Sequence, residues 1–160
     1  MSYSIAMSEL ELRMNQLLQD YRATLGGRLE DYFGTAYLET HHRLAVETAL
    51  HQTARGNNDY GLDGYCLDET TGNLYLYQFK YSTDWRQFQV SMRRLISVGL
   101  AKLFLRTPLD LKENALLQSL RAEIEEFHPE GSHCLHALRV YGQPQESRRI
   151  RHAQGLSGAD

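Results

Sequence analysis

The chain has 160 residues, of which 42% are hydrophobic and 23% are charged; this balance excludes a disordered or fibrous protein and fits one ordinary domain. No apolar run reaches the roughly 18 residues of a membrane-spanning helix, and the N-terminus lacks the order of a signal peptide, so we expect a cytoplasmic protein with no membrane partner. The formal net charge of −3 counts against a protein that only coats nucleic acid, but it does not exclude an enzyme with a local basic patch.

Three amphipathic helices are predicted before the middle of the chain. In each segment the apolar residues recur at the three- to four-residue spacing of one helix face. The predicted segments are residues 8–21, 28–38 and 44–53. Gly26 and Gly27 separate the first two helices, and the composition of residues 55–61 predicts a loop after the third.

A β-hairpin is predicted after this loop. Residues 62–68 and 73–81 are short runs rich in apolar and aromatic side chains, and the segment between them has the glycine, asparagine and aspartate content of a turn. Two such runs around a turn are typical of two antiparallel strands. The second run carries an aromatic stripe of Tyr75, Tyr77, Phe79 and Tyr81. The stripe is predicted to pack under a helix, although stacking on nucleobases is the alternative.

The register of the hairpin brings three polar residues together. If the turn is centred on its two threonines, Leu67 faces Leu74 and Asp63 faces Gln78. Directly opposed residues share one side of a sheet, and alternate residues of one strand share a side, so Lys80 joins the other two. We therefore predict that Asp63, Gln78 and Lys80 cluster at one end of the hairpin.

The remaining elements are two helices and a strand. Helical periodicity returns at residue 84 and ends at Pro108, a further helix covers residues 112–127, and residues 134–141 are a predicted strand. This order predicts an α/β or α+β fold with a small mixed central sheet flanked by helices. Our domain division is an N-terminal helix, a main domain and a polar basic tail, at residues 1–27, 28–142 and 143–160.

The predicted cluster has the chemistry for phosphodiester hydrolysis. Asp63, the side-chain oxygen of Gln78 and the carbonyl of Phe79 are the hard oxygen ligands that Mg²⁺ prefers. Such a cation, or Mn²⁺, lowers the pKa of a bound water and stabilises charge on the transition state. Lys80 would orient the water or neutralise the developing oxyanion.

Two strings around this cluster resemble a known signature. Residues 58–65 read NDYGLDGY and residues 74–82 read LYLYQFKYS. They resemble the D-x-G-[IL]-D-G and Q-x-K motifs of Mrr-like nucleases in the PD-(D/E)XK superfamily, and are most similar to the N-terminal nuclease domain of the AIPR abortive-infection family. The resemblance implies a restriction-endonuclease-like core and an endonuclease that cleaves DNA in phage defence, by abortive infection or restriction; RNA stays open as a substrate.

The resemblance also implies roles for individual residues. Asp63 would bind the metal, Gln78 would take the position of the second acidic ligand, and Lys80 would be the catalytic lysine. Gln78 departs from the Asp or Glu in the superfamily's name and removes one negative charge. A glutamate is expected on a preceding helix: we assign Glu30, and the alternatives Glu39 and Glu47 stay open.

Arginines after the hairpin are candidates for binding DNA. Arg86, Arg93 and Arg94 lie mostly away from the apolar face of the predicted helix and would contact phosphates; a solvated helix face is the alternative. Cys66 and Cys134 fall in predicted strands without a C-x-x-C spacing, which indicates buried reduced thiols.

A second function is kept open, namely a nuclease-fold nucleic-acid-binding or assembly module without cleavage activity. The helix glutamate and metal binding would distinguish this module from the enzyme. A homodimer, a larger multidomain protein and a defence complex are all compatible with the resemblance, whose members are usually longer than this chain.

Overall fold

The computed structural model describes residues 3–55, 60–80, 85–105, 115–127 and 137–144, with the backbone alone for residues 3–8, 80, 127 and 137–144. Its helices and strands follow in chain order. They are α1 (Tyr3–Leu25), a 3₁₀ turn (Leu29–Tyr32), α2 (Phe33–His42), α3 (Val46–His51), β1 (Gly64–Asp68), β2 (Asn73–Lys80), α4 (Trp85–Arg94), a π-helical turn (Leu95–Gly99), α5 (Leu100–Phe104), α6 (Ala115–Phe127) and β3 (Ala137–Pro144). No helix within these ranges is long and apolar enough to span a membrane.

The predicted helices before the hairpin are confirmed, with different ends. The first begins at Tyr3 instead of residue 8 and ends where Gly26 and Gly27 adopt φ of 66° and 89°, a conformation that favours glycine. The second begins as a 3₁₀ turn and continues beyond the predicted end to His42, where Arg43 caps it with φ of 54°.

The later elements also differ at their ends. The third strand is Ala137–Pro144, so it begins and ends three residues after its predicted bounds of 134 and 141, and Cys134 lies outside the described residues. Pro108, the predicted end of the helix after the hairpin, lies outside them as well.

The strands form a mixed three-stranded sheet in the order β1-β2-β3. β1 and β2 pair antiparallel with Leu67 opposite Leu74, so the predicted register is confirmed, and β3 runs parallel to β2. On the other side of β1, Thr53 forms an isolated bridge with Gly64. The α+β class with a small mixed sheet is therefore correct.

Helices cover both faces of the sheet. Alternate strand residues point to opposite sides, so each face contributes side chains to a core of its own. One core joins Tyr77 and Cys66 to α1 and α2, with Met14 and Leu17 of α1 almost fully buried in it. The second core joins residues of both strands to the helices that follow the hairpin. Its fully buried members include Leu62, Tyr65, Leu74, Leu76, Leu95 and Leu120.

Two smaller predictions concern side chains in the hairpin. Cys66 is buried and free, as predicted. The aromatic stripe packs against α2, since the Phe79 ring lies 5.4 Å from Phe33 and 5.3 Å from Tyr37, measured between centroids. Tyr81, the last residue of the stripe, lies outside the described residues.

Candidate active site

The loop before β1 brings Asp63 to the open end of the hairpin. Tyr60 and Gly61 have φ of 53° and 84°, so the chain turns sharply just before it enters the sheet. Gly61 lies so close to α4 that an added Cβ would collide with the carbonyl oxygen of Ser91. Leu62 is fully buried in the second core. Glycine is therefore needed here both for its conformation and for the close approach of the helix.

Neighbouring backbone on both sides holds the main chain of Asp63. Its N–H donates to the carbonyl of Tyr77 at 2.8 Å, and its carbonyl accepts from the N–H of Ala54 at 2.8 Å. Asp63 thus continues the pairing of β1 by one residue and stands between two other segments. A carboxylate on such a fixed backbone has little freedom to move away from the strand end.

The carboxylate of Asp63 meets two donors from β2. Its Oδ2 accepts from the side-chain Nε2 of Gln78 at 2.7 Å and from the backbone N–H of Phe79 at 2.7 Å. The predicted approach of Asp63 to Gln78 is therefore confirmed. The bonds also explain why the acid stays close to the strand, because hydrogen bonds to an ionised carboxylate are the stronger kind.

Gln78 is turned opposite to the orientation expected of a metal ligand. Its nitrogen faces Asp63 and also donates to the carbonyl of Phe79 at 2.9 Å. Its oxygen Oε1 is buried and has no hydrogen-bond partner among the described residues, and the whole residue is only 3% exposed. A buried polar atom without a partner costs about 1–3 kcal/mol, so this orientation of the amide lowers stability.

Lys80 is the last residue of β2 and pairs in register with Pro144 of β3. Only its backbone is described, so the predicted approach of its amine to Asp63 stays a prediction. The strand does reach this position with an unbroken register against β3, which keeps Gln78 and Lys80 two residues apart along one ladder.

The three candidate glutamates lie on the 3₁₀ turn, α2 and α3, which belong to the helices before the hairpin. Glu30 is 44% exposed with the guanidinium of Arg28 at 4.0 Å, and Glu47 is exposed in the first turn of α3. Glu39 binds Arg13 through both carboxylate oxygens, at 2.9 and 2.6 Å. Within the described ranges no three His, Cys, Asp or Glu side chains form a group suited to a metal ion.

The arginines predicted to bind phosphates are exposed on α4, as expected of either interpretation. The guanidinium of Arg94 lies over the ring of Tyr60 at 5.2 Å, and the amine of Lys102 lies 5.0 Å from the same ring centroid. Tyr60 and Lys102 were not predicted from the sequence, although the tyrosine directly precedes the G-L-D string. The helix that carries the arginines is thus in contact with the loop that positions Asp63.

Packing around Phe79 was not predicted either. Gly34 of α2 lies against the Phe79 ring, and an added Cβ there would come within 2.9 Å of two ring atoms. The close approach of α2 fixes the part of β2 whose carbonyl is a candidate ligand. A glycine beside an aromatic residue in a helix is the only local sign of this contact, and it is not specific.

Shifted pKa values mark other parts of the hairpin. Burial and a hydrogen bond to Glu123 raise the pKa of the Tyr65 hydroxyl, and burial raises the pKa of the Cys66 thiol to about 11. Burial lowers the pKa of His42, whose ring shares a 2.5 Å hydrogen bond with the Tyr77 hydroxyl. These groups lie where the hairpin packs between the two helical layers.

Comparison with known proteins finds no relative of this chain. No family model matches it, and no curated protein and no solved structure is significantly similar to it. The fold and the site by themselves define the class of protein: a mixed α+β domain with a carboxylate, an amide and a strand carbonyl gathered at the open end of a hairpin.

Proposed function

We propose that this protein is a Mg²⁺- or Mn²⁺-dependent endonuclease domain that hydrolyses phosphodiester bonds in DNA, with a restriction-endonuclease-like core and a role in phage defence. One observation carries the proposal. The carboxylate of Asp63 and the carbonyl of Phe79, two oxygens from neighbouring strands, both bind the single nitrogen atom of Gln78. Two oxygens that converge on one point at a strand end are a fitting pair of ligands for a hard cation.

The residues present fit such a cation in their chemistry. Asp63 supplies the negative charge, Phe79 a carbonyl oxygen, and Gln78 an amide oxygen that has no other partner among the described residues. The cation would supply an activated water and stabilise the charge of the transition state. With one carboxylate and two neutral oxygens, affinity in the free protein would be modest, and the phosphate of the substrate would add to it.

The other roles belong to side chains of this chain. Backbone bonds on both sides hold Asp63 in place, which limits the reorganisation needed at the site. Lys80, two residues beyond Gln78, is proposed to neutralise the negative charge that grows on the scissile phosphate. Arg86, Arg93 and Arg94 are assigned to phosphates farther along the DNA, on the helix that contacts the Asp63 loop through Tyr60.

The order of elements supports the same proposal. Helices, a short bridge at Thr53, the hairpin, further helices and a parallel strand follow one another along the chain. The order after the hairpin, helices and then a strand, is the one that the resemblance to PD-(D/E)XK nucleases implies.

A second candidate is a nuclease-fold nucleic-acid-binding or assembly module without cleavage activity. The bidentate pair of Glu39 with Arg13 favours it, because this pair uses both oxygens of one of the three candidate helix acids. Glu30 and Glu47 are then the acids left for the enzyme.

The test is a cleavage assay with the full chain on plasmid, linear duplex, single-stranded DNA and RNA, with Mg²⁺, Mn²⁺ or EDTA. Asp63→Asn is the test variant. Asp68→Asn is the matched control, since Asp68 lies at the other end of β1 and binds the turn through Thr70 and Thr71. Metal-dependent cleavage by wild type and Asp68→Asn, lost in Asp63→Asn, supports the enzyme.

The remaining outcomes separate the two candidates. Cleavage of RNA alone would correct the substrate and keep the enzyme. Binding of nucleic acid without cleavage in any metal would favour the module. Equal cleavage by wild type and Asp63→Asn would contradict the site.

A further inference from the structure

The side-chain amide of Gln78 occupies the point shared by the two candidate oxygen ligands. Nε2 donates one hydrogen bond of 2.7 Å to Asp63 Oδ2 and another of 2.9 Å to the Phe79 carbonyl. An amide nitrogen has two hydrogens, so both are used. The nitrogen therefore bridges the same two oxygens that the proposed function gives to a cation.

Chemistry fixes this orientation of the amide. With the amide reversed, Oε1 would stand against a carboxylate oxygen and a carbonyl oxygen, and three acceptors would repel one another. The observed orientation avoids that repulsion but leaves Oε1 buried without a partner among the described residues. This orientation of the amide is favourable only while no cation is present. A cation attracts the amide oxygen and repels the N–H groups, so it would favour the reversed orientation.

We propose that Gln78 is a clasp that closes the cation position in the free protein and turns its amide over when a divalent cation binds. The inference rests on the proposed function, since it concerns the same site. Rotation about the last side-chain bond of glutamine meets a low barrier and needs no movement of β2. After the turn, Oε1 joins Asp63 and Phe79 as a ligand, and the hydrogen bonds of Nε2 are given up. Cation binding and amide rotation are thus one coupled event.

Side-chain amide NMR of the wild-type full chain tests the clasp directly. The Gln78 NH₂ signals are assigned by their loss in Gln78→Met. In the free protein we expect slow hydrogen exchange, because both hydrogens are bonded and the residue is buried. Addition of diamagnetic Mg²⁺ should shift both signals and speed their exchange at least tenfold. Gln52 is the matched control, since its side chain is also buried with an unpartnered oxygen among the described residues, and its signals should not move.

A variant without metal gives a second test of the same contact. Asp63→Asn replaces the charged acceptor, so the Gln78 NH₂ signals should move and exchange faster in the absence of any cation. Unchanged signals in this variant would show that the amide does not bind Asp63, and would overturn the clasp. Signals that move only for Gln78, while Gln52 stays unchanged, support it.

Calorimetric titration with Mg²⁺ and Mn²⁺ separates failure of the clasp from failure of the proposed function. If a cation binds and the Gln78 signals do not move, the clasp is overturned and the endonuclease proposal stands. If no cation binds with or without a DNA duplex, and no substrate is cleaved, both proposals are overturned together.

Discussion

Arg13 and Glu39 form an ion pair with two parallel hydrogen bonds, at 2.9 and 2.6 Å, that joins α1 to α2. The pair is largely shielded, with the Glu39 side chain 14% exposed, and the hydrogen bond to Glu39 raises the pKa of Arg13. Both carboxylate oxygens are used. Glu39 therefore has a structural role in helix packing, and Glu30 or Glu47 is a better candidate for an acid at the site.

Glu39→Gln should lower the free energy of unfolding by about 1–3 kcal/mol, because the guanidinium of Arg13 loses a charged partner in a shielded position. Urea denaturation measures the change, with Glu47→Gln as the control for the same substitution at an exposed position. A Glu39→Gln variant of wild-type stability that no longer binds Mn²⁺ would instead assign Glu39 to the metal.

Lys80→Ala should slow cleavage on the order of 10²-fold or more at saturating DNA, with little change in DNA affinity. The reason is that its proposed interaction is made mainly in the transition state. Single-turnover kinetics gives the rate, and the melting temperature confirms folding. Arg22→Ala is the control, because it removes one positive charge from the exposed last turn of α1 and leaves the hairpin unchanged. A folded Lys80→Ala variant that cleaves as fast as wild type would remove the catalytic lysine from the proposal.

Arg93→Ala and Arg94→Ala should weaken DNA binding with less effect on the rate at saturation. If the arginine neutralises one phosphate, its removal should reduce the slope of log affinity against log salt by about 1. Fluorescence anisotropy at several salt concentrations measures the slope. Arg22→Ala, on the exposed last turn of α1, is the control for removal of one surface charge. Equal slopes in all four proteins would mean that α4 presents only a solvated face.

Gly61→Ala should destabilise the protein more than Gly26→Ala. Both glycines have positive φ, at 84° and 66°, so each substitution carries a backbone cost of about 1 kcal/mol or more. At Gly26 an added Cβ meets nothing within 4 Å, whereas at Gly61 it collides with the Ser91 carbonyl. The difference in melting temperature therefore isolates the contact between α4 and the Asp63 loop. Equal decreases would show that α4 does not press on this loop.

Stability should fall as the pH drops below 6.5, the ordinary pKa of histidine, and His42 should account for part of the fall. Burial is the main cause that lowers its pKa below the ordinary value of 6.5; His41 lowers it further, and Asp68 partly opposes both. Above that value neither the folded nor the unfolded chain protonates His42. As the pH falls through it, the unfolded chain takes up the proton first, so folding is disfavoured until the lower folded-state pKa is passed.

The measurement is the unfolding free energy at about pH 7.5 and about pH 5.5, on either side of the ordinary histidine pKa, for wild type and His42→Gln. The variant should lose less stability between the two values. His51→Gln controls for removal of one imidazole at an exposed position. A His42→Gln protein with the wild-type pH dependence would contradict the linkage.

Local patterns in the sequence determined the helices, the hairpin and its register. Strand alternation and the turn composition placed Leu67 opposite Leu74, and the same register brought Asp63 to Gln78. Such features are predictable because a period of two or 3.6 residues is set by the backbone itself. Helix ends were less predictable, since they depend on caps such as Arg43, which the periodicity does not mark.

Only the tertiary structure decided which way the site faces and what the acids do. Glu39 binds an arginine 26 residues away, and the amide of Gln78 turns its nitrogen to Asp63 because two acceptors meet there. The contact of Gly61 with α4 joins segments that are far apart in sequence. These outcomes depend on which groups meet when helices and strands pack. The energy of such a contact belongs to a pair of residues, so the sequence around one of them does not predict it.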